Sequence, residues 1–218
     1  MDFKIGFMPS REKVSGLEAA LVTDTKDGSG VRFALGNMGT KFRGLELGLL
    51  NYVGDYKGLQ INILGGGSLI YSGMRFGLVG NTLSFKGVDV NFLGKSKDYS
   101  GVRLGVLGKT NSFKGIDVNL IGETDLHKGL LKFSALYNHA GELHGIQAGA
   151  VNITEKYSGA QIGLFNYAEE MKGVQFSLVN ICGKDSGGIQ TGLLNIRKDA
   201  PWYAKVIPFF AYRGSKGK

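Results

Sequence analysis

Apolar residues alternate with polar or small ones along this chain, and the alternation restarts at a glycine about every 14 residues. Gly87-Val-Asp-Val-Asn-Phe-Leu93, Gly101-Val-Arg-Leu-Gly-Val-Leu107 and Gly115-Ile-Asp-Val-Asn-Leu-Ile121 are three units in succession. Numbered from the glycine, positions 2, 4 and 6 are apolar, as in Leu59, Ile61, Ile63 and Val102, Leu104, Val106. A period of two is the strand signature. Position 5 is small or polar (Gly48, Asn62, Gly77, Asn91), and position 13 is usually aromatic (Phe42, Tyr56, Tyr71, Phe85, Tyr99, Phe113, Tyr157). Between units lie turn formers such as Lys95-Ser-Lys-Asp98 and Lys109-Thr-Asn-Ser112. The pattern predicts an all-β chain of about fourteen short strands, one per unit. The units run from about 2 to 196, and a last strand and tail fill 197–218, all as a single domain.

Position 3 carries the pairing signal. It reads Lys4, Glu18, Arg32, Glu46, Gln60, Arg75, Asp89, Arg103, Asp117, Lys132, then Gln147, Gln161, Gln175, Gln190. Signs alternate down the first ten except at Gln60. Opposite charges on facing strands are favourable by about 0.2–1 kcal/mol each and like charges are not, so consecutive units are expected to be neighbours.

Two topologies satisfy that row. In an antiparallel meander position 3 faces position 3, and position 7 faces the aromatic of position 13. In a parallel β-solenoid identical positions stack, with ladders of Gln147, Gln161, Gln175, Gln190 and of Asn152, Asn166, Asn180, Asn195. The meander, closed into a barrel or roll, is the first expectation. A 14-residue coil leaves about six mostly polar residues to cover three bulky apolar ones, and an open sheet exposes edges. In a meander, alternate turns share an end, which places Lys57, Lys86 and Lys114 together at one basic end and Ser72 and Ser100 at the other. Positions 2, 4 and 6 then form either a lipid-facing belt around a polar lumen or a dry core.

Composition narrows the classes. Glycine supplies 36 of 218 residues, and the three prolines (Pro9, Pro201, Pro208) lie near the ends, which suits unbroken backbone pairing. The formal charge of +8 suits an acidic surface or anionic lipid. No apolar run reaches the ~20 residues of a membrane helix. Met1-Asp-Phe-Lys-Ile-Gly-Phe lacks the basic start and apolar core of a signal peptide. The expectation is therefore either a cytoplasmic chain or one that has lost a leader.

Gly145-Ile-Gln-Ala-Gly-Ala-Val-Asn152, Gly159-Ala-Gln-Ile-Gly-Leu-Phe-Asn166, Gly173-Val-Gln-Phe-Ser-Leu-Val-Asn180 and Gly188-Ile-Gln-Thr-Gly-Leu-Leu-Asn195 carry a resemblance. They resemble the Gly-Val-Gln-Ile-Gly-Leu-Val-Asn repeats of bacterial, leptospiral-type surface-repeat proteins. The resemblance implies a surface or outer-envelope location and no known catalysis.

Candidate chemistry is sparse. Gly94-Lys95-Ser96 and Gly108-Lys109-Thr110 look like the end of a phosphate loop, but Asp89 and Arg103 stand where its first glycine belongs. Gly65-Gly66-Gly67 reads as a loose turn. His127, His139 and His144, with Glu142, match no standard metal spacing, and Cys182 has no neighbouring histidine. The acids of position 3 are flanked by basic partners, which favours structural pairing over acid–base catalysis. The chain is expected to be no enzyme, with no metal, cofactor, small-molecule substrate or specific nucleic acid. The expected role is that of an envelope or surface structural protein, with a membrane β-barrel as one form of it. The alternative is a soluble β-roll that binds an acidic partner or lipid.

Overall fold

The computed structural model describes residues 2–6, 10–183, 186–198 and 200–214. Nearly all of them are strand. The elements are β1 (Asp2–Gly6), β2 (Ser10–Phe176), β3 (Val179–Cys182), β4 (Gly187–Arg197), a short 3-10 turn (Trp202–Ala204) and β5 (Val206–Arg213). The count of about fourteen separate strands is corrected, because β2 runs unbroken through the positions read as turns. Residues such as Ser96 and Thr110 bury their hydroxyls there and stay in the ladder.

The pairing is parallel. Asp2 pairs with Gly16 and Gly6 with Ala20, and Phe165 pairs with Val179, each at an offset of 14 residues in one direction of travel. One extra residue shifts the next register to Gly173↔Gly188. Among the described residues β5 alone runs antiparallel, against β4. The antiparallel meander is therefore corrected. The closed barrel or roll is corrected as well, because the sheet order β1-β2-β3-β4-β5 does not return to its start.

Contacts divide the chain into two compact units, Met1–Val106 and Leu107–Lys218. In the first, the glycines of position 1 stack from turn to turn, across the strands. Gly44 and Gly58 have φ of +139° and +142°, in a region closed to most side chains. The aromatics of position 13 stack too, with ring centroids 4.9 Å apart for Tyr56–Tyr71, 4.8 Å for Tyr71–Phe85 and 4.7 Å for Phe85–Tyr99. That is the spacing of neighbouring strands, and it allows offset stacking of like on like. Tyr56 and Tyr99 donate their hydroxyls to the carbonyls of Leu59 and Val102, each at 2.6 Å.

Side chains at positions 3, 5, 8, 10 and 13 point inward, and those at 2, 4, 6 and 7 point outward. Glu18, Arg32, Glu46 and Gln60 are buried, while Leu35, Leu50 and Ile63 are 51 %, 59 % and 62 % exposed. The objection that a 14-residue coil cannot cover its apolar residues disappears, because they are left outside. Much of the interior is filled by polar ladders. Beside them run the buried aromatics of position 13 in the first unit, and in the second unit Ala140, Leu143, Tyr157, Ala168, Met171 and Cys182 form an apolar cluster.

Candidate functional site

Among the described residues the charged row is internal, and most of it is paired. In the first unit the Arg32 guanidinium donates to Glu46 Oε2 at 2.5 Å, and Gln60 donates to the other oxygen at 2.9 Å. Gln60 thus accounts for the break in sign. Arg75 forms a two-pronged contact with Asp89, Nε to Oδ1 at 2.9 Å and Nη2 to Oδ2 at 2.8 Å, and its Nη1 donates to Thr82 at 2.6 Å. The same guanidinium lies 5.3 Å from the Tyr71 ring centre and 5.0 Å from that of Phe85. Glu18 accepts from Thr25 at 3.3 Å, and Arg103 is buried. Lys4 pairs through its backbone with Glu18, and its side chain lies outside the described residues. In the second unit Lys132 Nζ stands 3.5 Å from Asp117, both fully buried.

The amides behave in the same way. Gln161 donates to Gln147 at 2.9 Å, Gln175 to Gln161 at 2.7 Å and Gln190 to Gln175 at 2.8 Å. Asn152, Asn166, Asn180 and Asn195 form a second ladder. An amide carries both donor and acceptor, so stacking identical amides satisfies each one along the row. These are the ladders that a parallel stack requires.

Burial raises the Glu46 carboxyl above the usual carboxylate range, and the charge and hydrogen bonds of Arg32 and the bond from Gln60 only partly offset this. A carboxyl raised on folding favours the folded state below its unfolded pKa and loses that contribution as pH rises through the folded value. Lowering the pH from neutral should therefore shift the stability difference between wild type and Glu46→Gln in favour of wild type. Denaturant melts of both proteins across that range check this, and a difference independent of pH would contradict it.

The basic residues are placed differently from the expectation. Each residue before a position 1 glycine occupies the same outer row, so Arg43, Lys57, Ser72, Lys86 and Ser100 line up in the first unit. Lys57 and Lys86 share this row with the serines that a meander would place at the opposite end. Lys114 holds the same position in the second unit. A parallel stack repeats one direction of travel, so the basic end is replaced by a basic margin beside the apolar rows.

The remaining candidates are structural in place. Lys95 and Lys109 point outward, and Lys109 pairs with Glu123 at 2.6 Å, which holds Glu123 below the usual carboxylate range. His127 is buried and stacks on Phe113 with centroids 5.2 Å apart, taking the place of an aromatic. His144 bonds Glu142 at 2.8 Å on the surface. Among the described residues no three metal-ligating side chains converge.

A feature not read from the sequence lies in the first unit. A groove of about 760 Å³ is bordered by Leu35, Leu49 and Leu50 on one side and Met38, Tyr52, Leu69 and Leu83 on the other. Gly65-Gly66-Gly67, expected as a loose turn, is part of β2 and lines this groove. The legible signal is a lapse in charge. Position 9 reads Asp24, Met38, Tyr52, Gly67, Asn81, Lys95, and position 11 reads Lys26, Thr40, Gly54, Leu69, Leu83, Lys97.

Comparison with protein-family models, curated proteins and solved structures finds no match to this chain.

Proposed function

We propose that this chain is a non-enzymatic parallel β-solenoid of the cell envelope or surface, a repeat protein that lays its apolar rows on lipid. The observation that carries this is the outward direction of positions 2, 4, 6 and 7. Leu21, Leu35, Leu50, Ile63, Leu78, Phe92 and Leu104 are each at least about 40 % exposed, on successive turns of the first unit. A contiguous apolar band of that extent marks an interaction surface. Lipid suits the band because its margin is basic, through Arg43, Lys57 and Lys86, and the whole chain carries a net charge of +8. Anionic headgroups attract such residues while apolar side chains enter the acyl boundary. Among the described residues of position 3, Arg32 with Glu46, Arg75 with Asp89 and Lys132 with Asp117 are buried in ion pairs, which suits a structural role. The resemblance to surface-repeat proteins supports the same location.

Sedimentation with liposomes tests this. The protein is expected to pellet with vesicles containing anionic lipid. Lys57→Ala with Lys86→Ala should weaken binding by about 2 kcal/mol, taking roughly 1 kcal/mol per basic residue. A protein that stays monodisperse and ignores anionic and neutral vesicles alike would overturn the proposal. The second reading, a soluble module for an acidic partner, draws on the same basic row. It predicts partner binding that needs no vesicle and is lost in high salt.

A further inference from the structure

We propose that the groove of the first unit is a binding site for one long-chain fatty acid, with its carboxylate held by Lys95 and Lys97. This goes beyond the lipid-surface role, since it concerns a single amphiphile in solution, and it stands or falls separately.

Three observations lead to this ligand. The groove crosses five successive turns, from Val22 to Leu83. At the ~4.8 Å spacing of neighbouring strands that is roughly 19 Å, an elongated shape that suits an extended hydrocarbon chain. Its walls are apolar only over this stretch, as Met38 and Tyr52 at position 9 and Leu69 and Leu83 at position 11 replace the charged residues found on the flanking turns. The asparagines at its base are occupied elsewhere. Asn37 donates to Asn51 at 2.7 Å and to the Leu47 carbonyl at 3.2 Å, so the base is already satisfied and asks nothing polar of a ligand.

The ends of the groove differ in charge. One turn beyond Asn81 and Leu83, the same two positions hold Lys95 and Lys97, both exposed. One turn before Met38 they hold Asp24 and Lys26, and Lys26 is paired with Glu12 at 3.2 Å. A net positive end beside an apolar trough matches an amphiphile with an anionic head, and sets its direction with the methyl end toward Val22. Pockets of this kind are mostly apolar, with a few polar groups that fix orientation.

Two glycines give a clean way to close the site. A Cβ at Gly36 would meet only the Val22 methyls, at 3.7 Å, and one at Gly65 would meet Leu50 and Val79 at 3.7 and 3.8 Å. Neither glycine has a left-handed φ, so larger residues fit the backbone and fill the groove from its lining.

The experiment is a calorimetric titration of palmitate below its micellar concentration in vesicle-free buffer, with hexadecanol as the uncharged counterpart. Saturable binding of one palmitate per chain is expected. Gly36→Leu and Gly65→Leu should each weaken it at least about tenfold with melting temperature retained. The pair Lys95→Glu and Lys97→Glu should weaken palmitate about tenfold while leaving hexadecanol unchanged. Absence of saturable binding by the wild type would overturn the proposal. So would uptake of many ligands per chain that the glycine substitutions leave unaltered, since that places the lipid on the apolar band at large. Vesicle binding that survives in Gly36→Leu while palmitate binding is lost would separate the groove from the surface role and support both.

Discussion

Gly58→Ala is expected to unfold the first unit, or to destabilise it by about 4 kcal/mol or more. Gly58 has φ +142°, and a Cβ built there would lie 2.0 Å from the Gly44 carbonyl oxygen of the preceding turn. Two costs add. The backbone conformation is nearly closed to L residues, and the obstacle is main chain that cannot swing away. Relief would require opening the ladder between two turns, so the damage spreads to neighbours that depend on stacking for their own burial. Gly36→Ala is the matched control. Its Cβ meets side-chain methyls at 3.7 Å, and the loss of unfolded-state freedom should leave stability equal or slightly higher. Urea melts followed by circular dichroism measure both. Equal midpoints for the two variants would contradict the stacked glycine row.

Arg75→Ala carries the second large effect, a loss of about 3–5 kcal/mol. The substitution leaves the Asp89 carboxylate buried without its two guanidinium donors and leaves Thr82 without its 2.6 Å partner. It also removes the cation beside the stacked Tyr71 and Phe85 rings. Asp89→Ala should cost a similar amount, because the orphaned charge is then the guanidinium. Replacing both, Arg75→Met with Asp89→Leu, should recover most of the loss, since an apolar pair of similar bulk needs no compensation. Full recovery is not expected, because Asn91 also donates to Asp89 and would lose an acceptor worth about 1 kcal/mol. A double-mutant cycle gives the coupling, and additive single effects would show that the two groups do not meet inside.

Much of the fold was legible from local pattern and little of its topology was. Alternation by two at residues such as Leu59, Ile61 and Ile63 predicts strand, and the sign alternation through Arg75 and Asp89 predicts that consecutive turns are neighbours. That row cannot distinguish parallel from antiparallel, because position 3 faces position 3 in both. The distinction rests on position 13. A meander sets Tyr99 against Leu93, whereas the structure stacks it on Phe85. Like on like at aromatics, glutamines and asparagines together is what a parallel stack demands. A meander covers its apolar side chains more easily than a 14-residue coil does, and the structure leaves those side chains outside. The groove went unread because it depends on two rows failing to be charged on the same turns, a coincidence visible only once positions 9 and 11 are known to lie side by side.

The central claim is the parallel 14-residue register, and disulfide trapping tests it most directly. Ser72→Cys with Lys86→Cys, in a Cys182→Ala background, places two thiols on one outer row of adjacent turns, because Gly87 stacks on Gly73. Parallel neighbours have Cα atoms about 4.8 Å apart, inside the range of about 4.4–6.8 Å that a disulfide spans. Mild oxidation followed by peptide mass spectrometry should show this pair cross-linked in nearly every molecule. An antiparallel register that keeps Arg75 opposite Asp89 brings Ser72 against Phe92 instead. Cross-linking of Ser72→Cys with Phe92→Cys, and none between 72 and 86, would contradict the parallel stack.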